Sequence, residues 1–174
     1  MRSEDIELII PTKQYNQSYL DAIGEYKSNN VDSYEFLDPT QCDIYKLIEA
    51  FRLGHDLPGN YVPSTYLWLI GGDEFIGEIS IRHKLTEALL RYGGHIGYGI
   101  RYSKWNKGYA TLMLSKALLY AKENIGINKV LLTCGDNNFA SACIIERNVG
   151  VLQDTIINNI DGVERPTRRY WITL

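Results

Sequence analysis

A junction between a strand pattern and a helix pattern, at residues 97–111, constrains this chain most. Its letters, GYGIRYSKWNKGYAT, begin as an apolar strand and lead into residues with helical spacing. The first amides of a helix lack internal partners and carry partial positive charge, so such a junction binds phosphate readily. Gly108 allows close approach of the backbone, Ala110 permits tight contact and Lys107 adds charge. Alternatively, Gly108 merely begins a helix that packs on a sheet.

Length and composition limit the alternatives. A chain of 174 residues predicts one domain with a full core. The net charge of -3 and the scattered basic residues argue against nucleic-acid binding, so any anion site must be local. No stretch approaches the roughly 20 apolar residues that cross a bilayer, which predicts a cytoplasmic protein without membrane contact. The 3 cysteines lack CxxC spacing, so we expect reduced thiols and no metal site.

Periodicity along the chain predicts an α/β fold with the order β-α-α-β-β-β-α-β-α-β-β. The strand patterns cover 6–10, a β-meander at 65–84, 93–102, 129–135, 151–158 and 167–173, and the helix patterns cover 15–27, 40–53, 108–124 and 138–148. Two segments rich in Gly, Pro, Asn and Asp, 29–39 and 54–64, are predicted loops. Because loops on a rigid scaffold often form binding sites, we expect substrate selection there.

Two other phosphate-binding patterns are missing from the sequence. No GxxxxGK[ST] loop occurs, and no GxGxxG follows a strand with an acidic residue about 20 positions on. Nucleotide hydrolysis and hydride transfer are therefore disfavoured.

Two segments resemble motifs of the Gcn5-related N-acetyltransferase (GNAT) family. IRYSKWNKGYATLMLSKAL resembles motif A, whose loop reads Arg or Gln, two variable residues, Gly, one variable residue, then Gly or Ala. Gly108 and Ala110 match that loop, whereas Trp105 stands at its first position and departs from it. DNNFASACIIERNVGVL resembles motif B through Asn138 to Ser141. The resemblance covers residues 75–173, and this part of the chain is similar to one bacterial subgroup of predicted acetyltransferases.

The resemblance implies a fold and a division of labour along the chain. It implies a mixed α/β (α+β) fold in which helices flank a largely antiparallel central sheet with two splayed, parallel central strands. Pantetheine would fill the gap between those strands, which hold residues 97–102 and 130–134. Residues 1–174 would form a single N-acetyltransferase domain, with substrate-side helices and loops at 11–64 and an acetyl-CoA-binding core at 65–174.

By the same resemblance, acetyl-CoA would contact three elements. Backbone groups of Ile100 and Tyr102 would pair with pantetheine, backbone amides from Gly108 onward would hold the pyrophosphate, and two motif B residues would lie beside the thiol arm. The cofactor-binding residues that this implies are Ile100, Tyr102, Trp105, Lys107, Gly108, Tyr109, Ala110, Thr111, Asn138 and Ser141. Trp105 either stacks on adenine or covers apolar surface. Asn138 and Ser141 equally suit a helix N-cap.

Glu78 and His95 are the predicted catalytic residues. Strand alternation places Glu78, Ser80 and Arg82 on one face and Phe75, Gly77, Ile79 and Ile81 on the other. A carboxylate in mid-strand suits a base for the ammonium acceptor, and an ion pair with Arg82 or Arg101 is the alternative. His95 begins the motif A strand and His83 ends the preceding one, and histidine has a pKa suited to proton transfer.

The usual acid of the family has no counterpart here. Many members place a Tyr in motif B to protonate the leaving thiolate, whereas Ile145 stands at or near that place. A thiolate is a fair leaving group because the pKa of a free thiol is about 8.5. Water or Tyr102 is the expected substitute, and Tyr98 and Tyr109 are further candidates.

These features predict transfer of acetyl from acetyl-CoA to a primary amine of a small molecule or peptide. We expect direct attack in a ternary complex, because no cysteine shows an activating base. Two alternatives stay open: a CoA-binding regulatory module that has lost turnover, and O-acetylation or transfer of a longer acyl chain at the same site. Exposed closing strands favour a homodimer.

Overall fold

The described residues form seven strands and five α-helices. The structure is a computed structural model, and it describes residues 6–32, 34–55, 57, 59, 61–160 and 162–174. The strands are β1 (Ile6–Ile9), β2 (Ser64–Gly71), β3 (Glu74–Arg82), β4 (Ile96–Ile100), β5 (Lys129–Gly135), β6 (Val151–Ile160) and β7 (Val163–Thr173). The helices are α1 (Asn16–Ser28), α2 (Ile44–Leu53), α3 (Glu87–Arg91), α4 (Tyr109–Tyr120) and α5 (Phe139–Arg147). The predicted order is confirmed, with α3 added where the sequence predicts only a link.

The strands form two antiparallel sheets that meet at β4 and β5. One sheet has the order β1-β2-β3-β4 and the other has the order β5-β7-β6. The amide of His95, just before β4, donates to the carbonyl of Leu131 at 2.8 Å, and the Leu131 amide donates to His95 Nδ1 at 2.9 Å. Within the described residues, no backbone hydrogen bond joins the two strands beyond this point. The mixed α/β architecture is therefore confirmed, with a gap between the sheets.

Separate hydrophobic clusters cover the two faces of the first sheet. On one face, Met113 and Leu114 of α4 are fully buried in a cluster that includes Ile79. On the other face, Tyr19 of α1 is fully buried in a cluster with Trp68. The first sheet is thus a central layer between α4 and α1. In the described part of the chain, no helix is both long and apolar enough to cross a membrane.

The predicted face of Phe75 is wrong, and a β-bulge explains the error. The register runs from Leu69 opposite Gly77 to Ile70 opposite Phe75, which leaves an extra residue in β3. A bulge shifts the side-chain alternation of the strand. The Phe75 ring accordingly packs 4.9 Å from the Tyr19 ring, on the face that carries Glu78.

The hydrogen bonds between His95 and Leu131 predict a loss of stability in acid. Burial, followed by the nearby charge of Arg82, lowers the pKa of His95 from 6.5 to about 4. The unfolded chain therefore binds this proton first, and stability falls as the pH drops from 6.5 towards 4. We expect His95→Asn, whose amide oxygen replaces Nδ1 as acceptor, to show a weaker loss in urea denaturation between pH 7.5 and 4.5. An unchanged acid limb contradicts this, and His55→Asn at an exposed site is the control.

Candidate active site

One face of β2, β3 and β4 forms the floor of a cavity of about 970 Å³. The ladders align Trp68, Glu78 and Gly99 in one row across this face, and Tyr66, Ser80 and Gly97 in the next. Side chains of α1 and of the segment after it form the walls. Because Gly97 has no side chain, the floor stays open at that residue, whereas the Tyr34 ring covers Gly99. The sequence prediction that residues 29–39 line a cleft agrees with this arrangement.

Glu78 is fully buried and is held by three aromatic side chains. Its Oε1 accepts a hydrogen bond from the Tyr34 hydroxyl at 2.9 Å. Its Oε2 accepts from the Tyr19 hydroxyl at 3.1 Å and from Trp68 Nε1 at 2.9 Å. Burial raises the pKa of Glu78, and the three donors oppose this rise by stabilising the ionised form. A buried carboxylate whose partners are all neutral is a strong candidate for proton transfer.

Neither arginine proposed as an ion-pair partner contacts Glu78. Arg101 Nε donates to Glu25 at 2.8 Å, and Arg82 Nη1 donates to the backbone carbonyls of Gly93 and Gly94, at 3.1 Å each. The alternative in which Glu78 serves as half of a structural ion pair is therefore not found.

Tyr34 separates Glu78 from the cavity. Tyr34 lines the cavity, whereas Glu78 does not. The Tyr34 ring lies directly over Gly99, where an added Cβ would be 2.5 Å from Cδ1. Burial, and next the charge of Glu78, raise the pKa of Tyr34 well above its ordinary value. A molecule in the cavity therefore meets the Tyr34 side chain before it meets the carboxylate.

The start of α4 offers free backbone amides. Gly108 precedes the helix with φ of 81°, and an added Cβ there meets nothing within 4 Å. No described side chain caps this end of the helix. The amides of Tyr109, Ala110 and Thr111 in the first turn therefore face outward and suit an anion. Lys107 Nζ donates to the Ser103 carbonyl at 2.8 Å.

The carbonyl of Ile100 already has two donors. Trp105 Nε1 and the Tyr26 hydroxyl both donate to it at 2.7 Å, which uses both of its lone pairs. Of the backbone groups of Ile100, the amide is left for the predicted contact with pantetheine. The Trp105 ring lies 4.9 Å from the ring of Tyr102, as expected if it covers apolar surface. Stacking of Trp105 on adenine stays a prediction.

The start of α5 is tied to β4. Asn138 caps this helix, because its Oδ1 accepts from the Ser141 amide at 3.0 Å. The Ser141 hydroxyl lies 2.8 Å from the Tyr98 hydroxyl of β4. Ile145, at the place of the missing tyrosine, is buried. Of the tyrosines considered as acids, Tyr98 therefore lies nearest the predicted thiol arm, while Tyr102 is exposed.

The other predicted catalytic residues lie elsewhere. His95 Nδ1 is occupied by the Leu131 amide, and His83 Nε2 lies 2.9 Å from Thr65 Oγ1. These contacts are typical of structural histidines, and proton transfer by His95 stays a prediction. Among the described residues, no group of three or more His, Cys, Asp or Glu side chains is placed to hold a metal ion.

The family model described as "Acetyltransferase (GNAT) domain" matches residues 17–149, more than half of the chain. The chain belongs to the GNAT acetyltransferase family. No curated protein matches it.

Solved GNAT structures share the fold at low sequence identity. A microcin self-immunity acetyltransferase, in complex with acetyl-CoA and AMP, is 16% identical with a TM-score of 0.73, covering 99% of this chain and 94% of that one. A ribosomal-protein alpha-N-acetyltransferase is 14% identical with a TM-score of 0.73, covering 99% and 92%. A spermidine N-acetyltransferase from Vibrio cholerae, in complex with CoA and spermine, is 15% identical with a TM-score of 0.66, covering 98% and 96%.

Within this GNAT fold, two sets of predicted residues lie on opposite sides of β4. The α4 and α5 residues lie on one side, and Glu78 lies on the other with Tyr34. Sequence reasoning missed Tyr19, Tyr34 and Trp68 as partners of the carboxylate. The alternate glycines of GYGIR were the available signal, since a strand that lacks side chains on one face leaves room for something to approach.

Proposed function

We propose that this chain transfers the acetyl group of acetyl-CoA to a primary amine by direct attack in a ternary complex. One observation carries the proposal: a buried carboxylate, Glu78, accepts a hydrogen bond from Tyr34, whose side chain lines a cavity large enough for an acceptor. The free amides of α4 lie with the other hydrophobic cluster, so each substrate has its own side of β4. The single-domain assignment, the cytoplasmic location and the homodimer stay predictions.

The acetyl-CoA side uses backbone groups more than side chains. The first-turn amides of α4 would hold the pyrophosphate, and the gap beyond His95 and Leu131 would admit the pantetheine arm. In an antiparallel ladder, the backbone N–H and C=O groups of every second residue point away from the partner strand. Because Arg101 and His95 bond to β3, the amides of Tyr98 and Ile100 point to the gap side. Those amides are placed to bind carbonyl groups of the arm.

Glu78 acts as the base through Tyr34. An amine in the cavity gives its proton to the Tyr34 oxygen while the phenol proton passes to Glu78 Oε1 over the existing 2.9 Å hydrogen bond. Burial raises the pKa of Glu78, which makes this carboxylate a better base than an exposed one. The Oε2 bonds to Tyr19 and Trp68 fix the carboxylate during the transfer.

Departure of the thiolate needs no catalytic acid. The amine nitrogen forms a bond to the acetyl carbon, the carbon–sulfur bond breaks, and the sulfur leaves as a thiolate. Burial raises the pKa of Tyr98 to about 12. A thiol with a pKa of about 8.5 is the stronger acid, so Tyr98 donates a hydrogen bond to the thiolate and solvent supplies the proton.

Two-substrate kinetics test the proposal. We expect thiol release from acetyl-CoA to depend on a primary amine, with intersecting double-reciprocal lines and an acetylated amine identified by mass spectrometry. Parallel lines with an acetylated protein contradict direct attack. Tight CoA binding without turnover supports the regulatory module instead, and modification of hydroxyl acceptors alone supports O-acetylation.

Gly108→Val is expected to weaken acetyl-CoA binding tenfold or more in calorimetry. A β-branched residue at φ of 81° is strained, and its side chain stands where the phosphates approach the amides. Gly126→Val is the matched control, because Gly126 has φ of 80°, has open space around it and ends the turn after α4. Equal losses of acetyl-CoA affinity in both variants would mean that backbone strain causes the loss, rather than a blocked approach to the first-turn amides of α4.

A further inference from the structure

One guanidinium group, that of Arg82, lies on the cavity floor. Arg82 shares the face of β3 that carries Glu78 and Ser80, and it lines the cavity. Its Nη1 is fixed by the carbonyls of Gly93 and Gly94. Its Nη2 is 3.9 Å from where a Cβ on Gly97 would sit, so the group extends over β4. One nitrogen therefore holds the side chain in place, while Nε and Nη2 have no hydrogen-bond partner among the residues that the structure describes.

No protein carboxylate neutralises this group in the described part of the chain. The ion pairs there engage Lys27, Arg52, Arg101, Lys104, Arg168 and Arg169. Arg82 is partly buried, and charged side chains are seldom buried without a partner. Tyr66, whose hydroxyl can donate to an anion, lines the same cavity, and so does Ser80, whose hydroxyl donates to the Gly97 carbonyl at 3.4 Å. An oxyanion in the cavity would complete the charge pairing.

The position of Arg82 relative to Tyr34 sets the size of the ligand. The guanidinium lies over Gly97, and the Tyr34 ring lies over Gly99. Two residues of a strand span about 7 Å. Hydrogen bonds at each end shorten the distance that the ligand itself must cover. An amine at Tyr34 and a carboxylate at Arg82 therefore belong to one molecule with a few bonds between the two groups.

We propose that the acceptor is a primary amine that carries a carboxylate, and that Arg82 binds this carboxylate. The inference rests on the proposed function and names its substrate class. An amino acid, or a peptide whose first residue is acidic, has the required chemistry. Arginine suits this role because its fork donates two parallel hydrogen bonds to a carboxylate.

Acidic residues at the rim do not reverse this preference. Asp32 and Glu35 line the cavity but are exposed, so water and salt screen their charges. Asp38 is occupied by Lys27 and by both donors of Thr40. Glu78 lies under Tyr34 and is the predicted proton acceptor. The charge that a ligand meets on the open floor is that of Arg82.

Matched acceptors test the inference on the unmodified protein. We expect kcat/KM for 4-aminobutyrate to exceed that for 4-aminobutanamide at least tenfold, and the same order for a peptide beginning with Glu over one beginning with Gln. In Arg82→Gln, the preference for carboxylate acceptors should fall to about twofold or less. The change should come from a lower kcat/KM for the carboxylate acceptors, with kcat/KM for the amides unchanged. Arg82→Lys, which retains the charge without the fork, should lie between the two.

Controls separate this inference from the proposed function. Arg52→Gln removes an exposed guanidinium on α2 that pairs with Glu49, and it should leave the preference unchanged. Acetyl-CoA binding and the unfolding midpoint show whether Arg82→Gln is folded. The comparison of acid and amide acceptors on the wild-type protein tests the inference even if this variant does not fold. Turnover with equal rates for acid and amide, or with spermidine as the best acceptor, overturns the inference and leaves amine acetylation standing. Absence of turnover with every amine overturns both.

Discussion

Glu78→Gln is expected to lower kcat for amine acetylation by about 10²–10⁴-fold, the usual contribution of a positioned general base. Acetyl-CoA affinity should not change, because the carboxylate lies on the opposite side of β4 from the start of α4. The effect should appear in single-turnover rates as well as in steady-state rates. It is the largest loss expected from one substitution, since proton removal from the amine has no other buried carboxylate to use among the described residues.

The substitution should preserve the fold. The side-chain oxygen of the introduced Gln can keep the hydrogen bonds from Tyr19 and Trp68. Its side-chain NH₂ can donate to the Tyr34 oxygen once the O–H bond of Tyr34 rotates away. Because the pKa of Glu78 is raised, the unfolded chain gives up this proton at lower pH than the folded chain. Wild-type stability therefore falls as the pH rises through that interval. Thermal unfolding at pH 7 should show a variant at least as stable as the wild type.

The pH profile gives a second readout for Glu78. A base works when it is deprotonated, so wild-type kcat should fall as the pH drops through the raised pKa of the carboxyl group. This acid limb should be missing from the residual activity of Glu78→Gln. Glu146→Gln is the matched control, because that exposed carboxylate also accepts from a tyrosine, Tyr170 at 3.1 Å, but lies on α5. A variant at Glu78 with more than a third of wild-type kcat contradicts the base role.

The phosphate-binding turn could be predicted because its requirement is local. A positive φ before a helix favours glycine wherever it occurs, and Gly108 adopts φ of 81°. The partners of Glu78 could not be predicted in the same way. Tyr19 and Tyr34 lie 59 and 44 positions away along the chain and reach the carboxylate only through packing of α1 and its following segment. No periodicity marks such residues.

Two features of β3 show what strand alternation can and cannot give. Alternation places Glu78, Ser80 and Arg82 on one face, as the structure has them. It fails at Phe75, because the bulge opposite Leu69 and Ile70 depends on how β2 pairs with β3. Arg82 was predicted only as a partner for Glu78. Its role in the cavity depends on the carbonyls of Gly93 and Gly94, which a turn after α3 brings to it.

Gly99→Ala is expected to lower kcat by about 10–100-fold, the scale of loss that follows from misplacing a catalytic group by about an ångström. The added Cβ would lie 2.5 Å from Tyr34 Cδ1 and 2.6 Å from its Cγ, far inside contact distance. The Tyr34 ring must therefore move away from β4, which lengthens its 2.9 Å hydrogen bond to Glu78. The carboxylate then stays buried but loses its connection to the acceptor.

Gly97→Ala is the matched control for this change. Gly97 lies on the same face of β4, and an added Cβ there would meet Ser80 Oγ at 3.5 Å, an ordinary contact. Because Gly97 lines the cavity beside Arg82, this variant should raise the acceptor KM and leave kcat within about threefold. Tyr34→Phe should match Gly99→Ala in kcat, since both break the same link. If Gly99→Ala keeps wild-type kcat while Tyr34→Phe loses it, the position of the Tyr34 ring does not depend on the missing side chain at Gly99. Its position must then come from α1 and Phe36 instead.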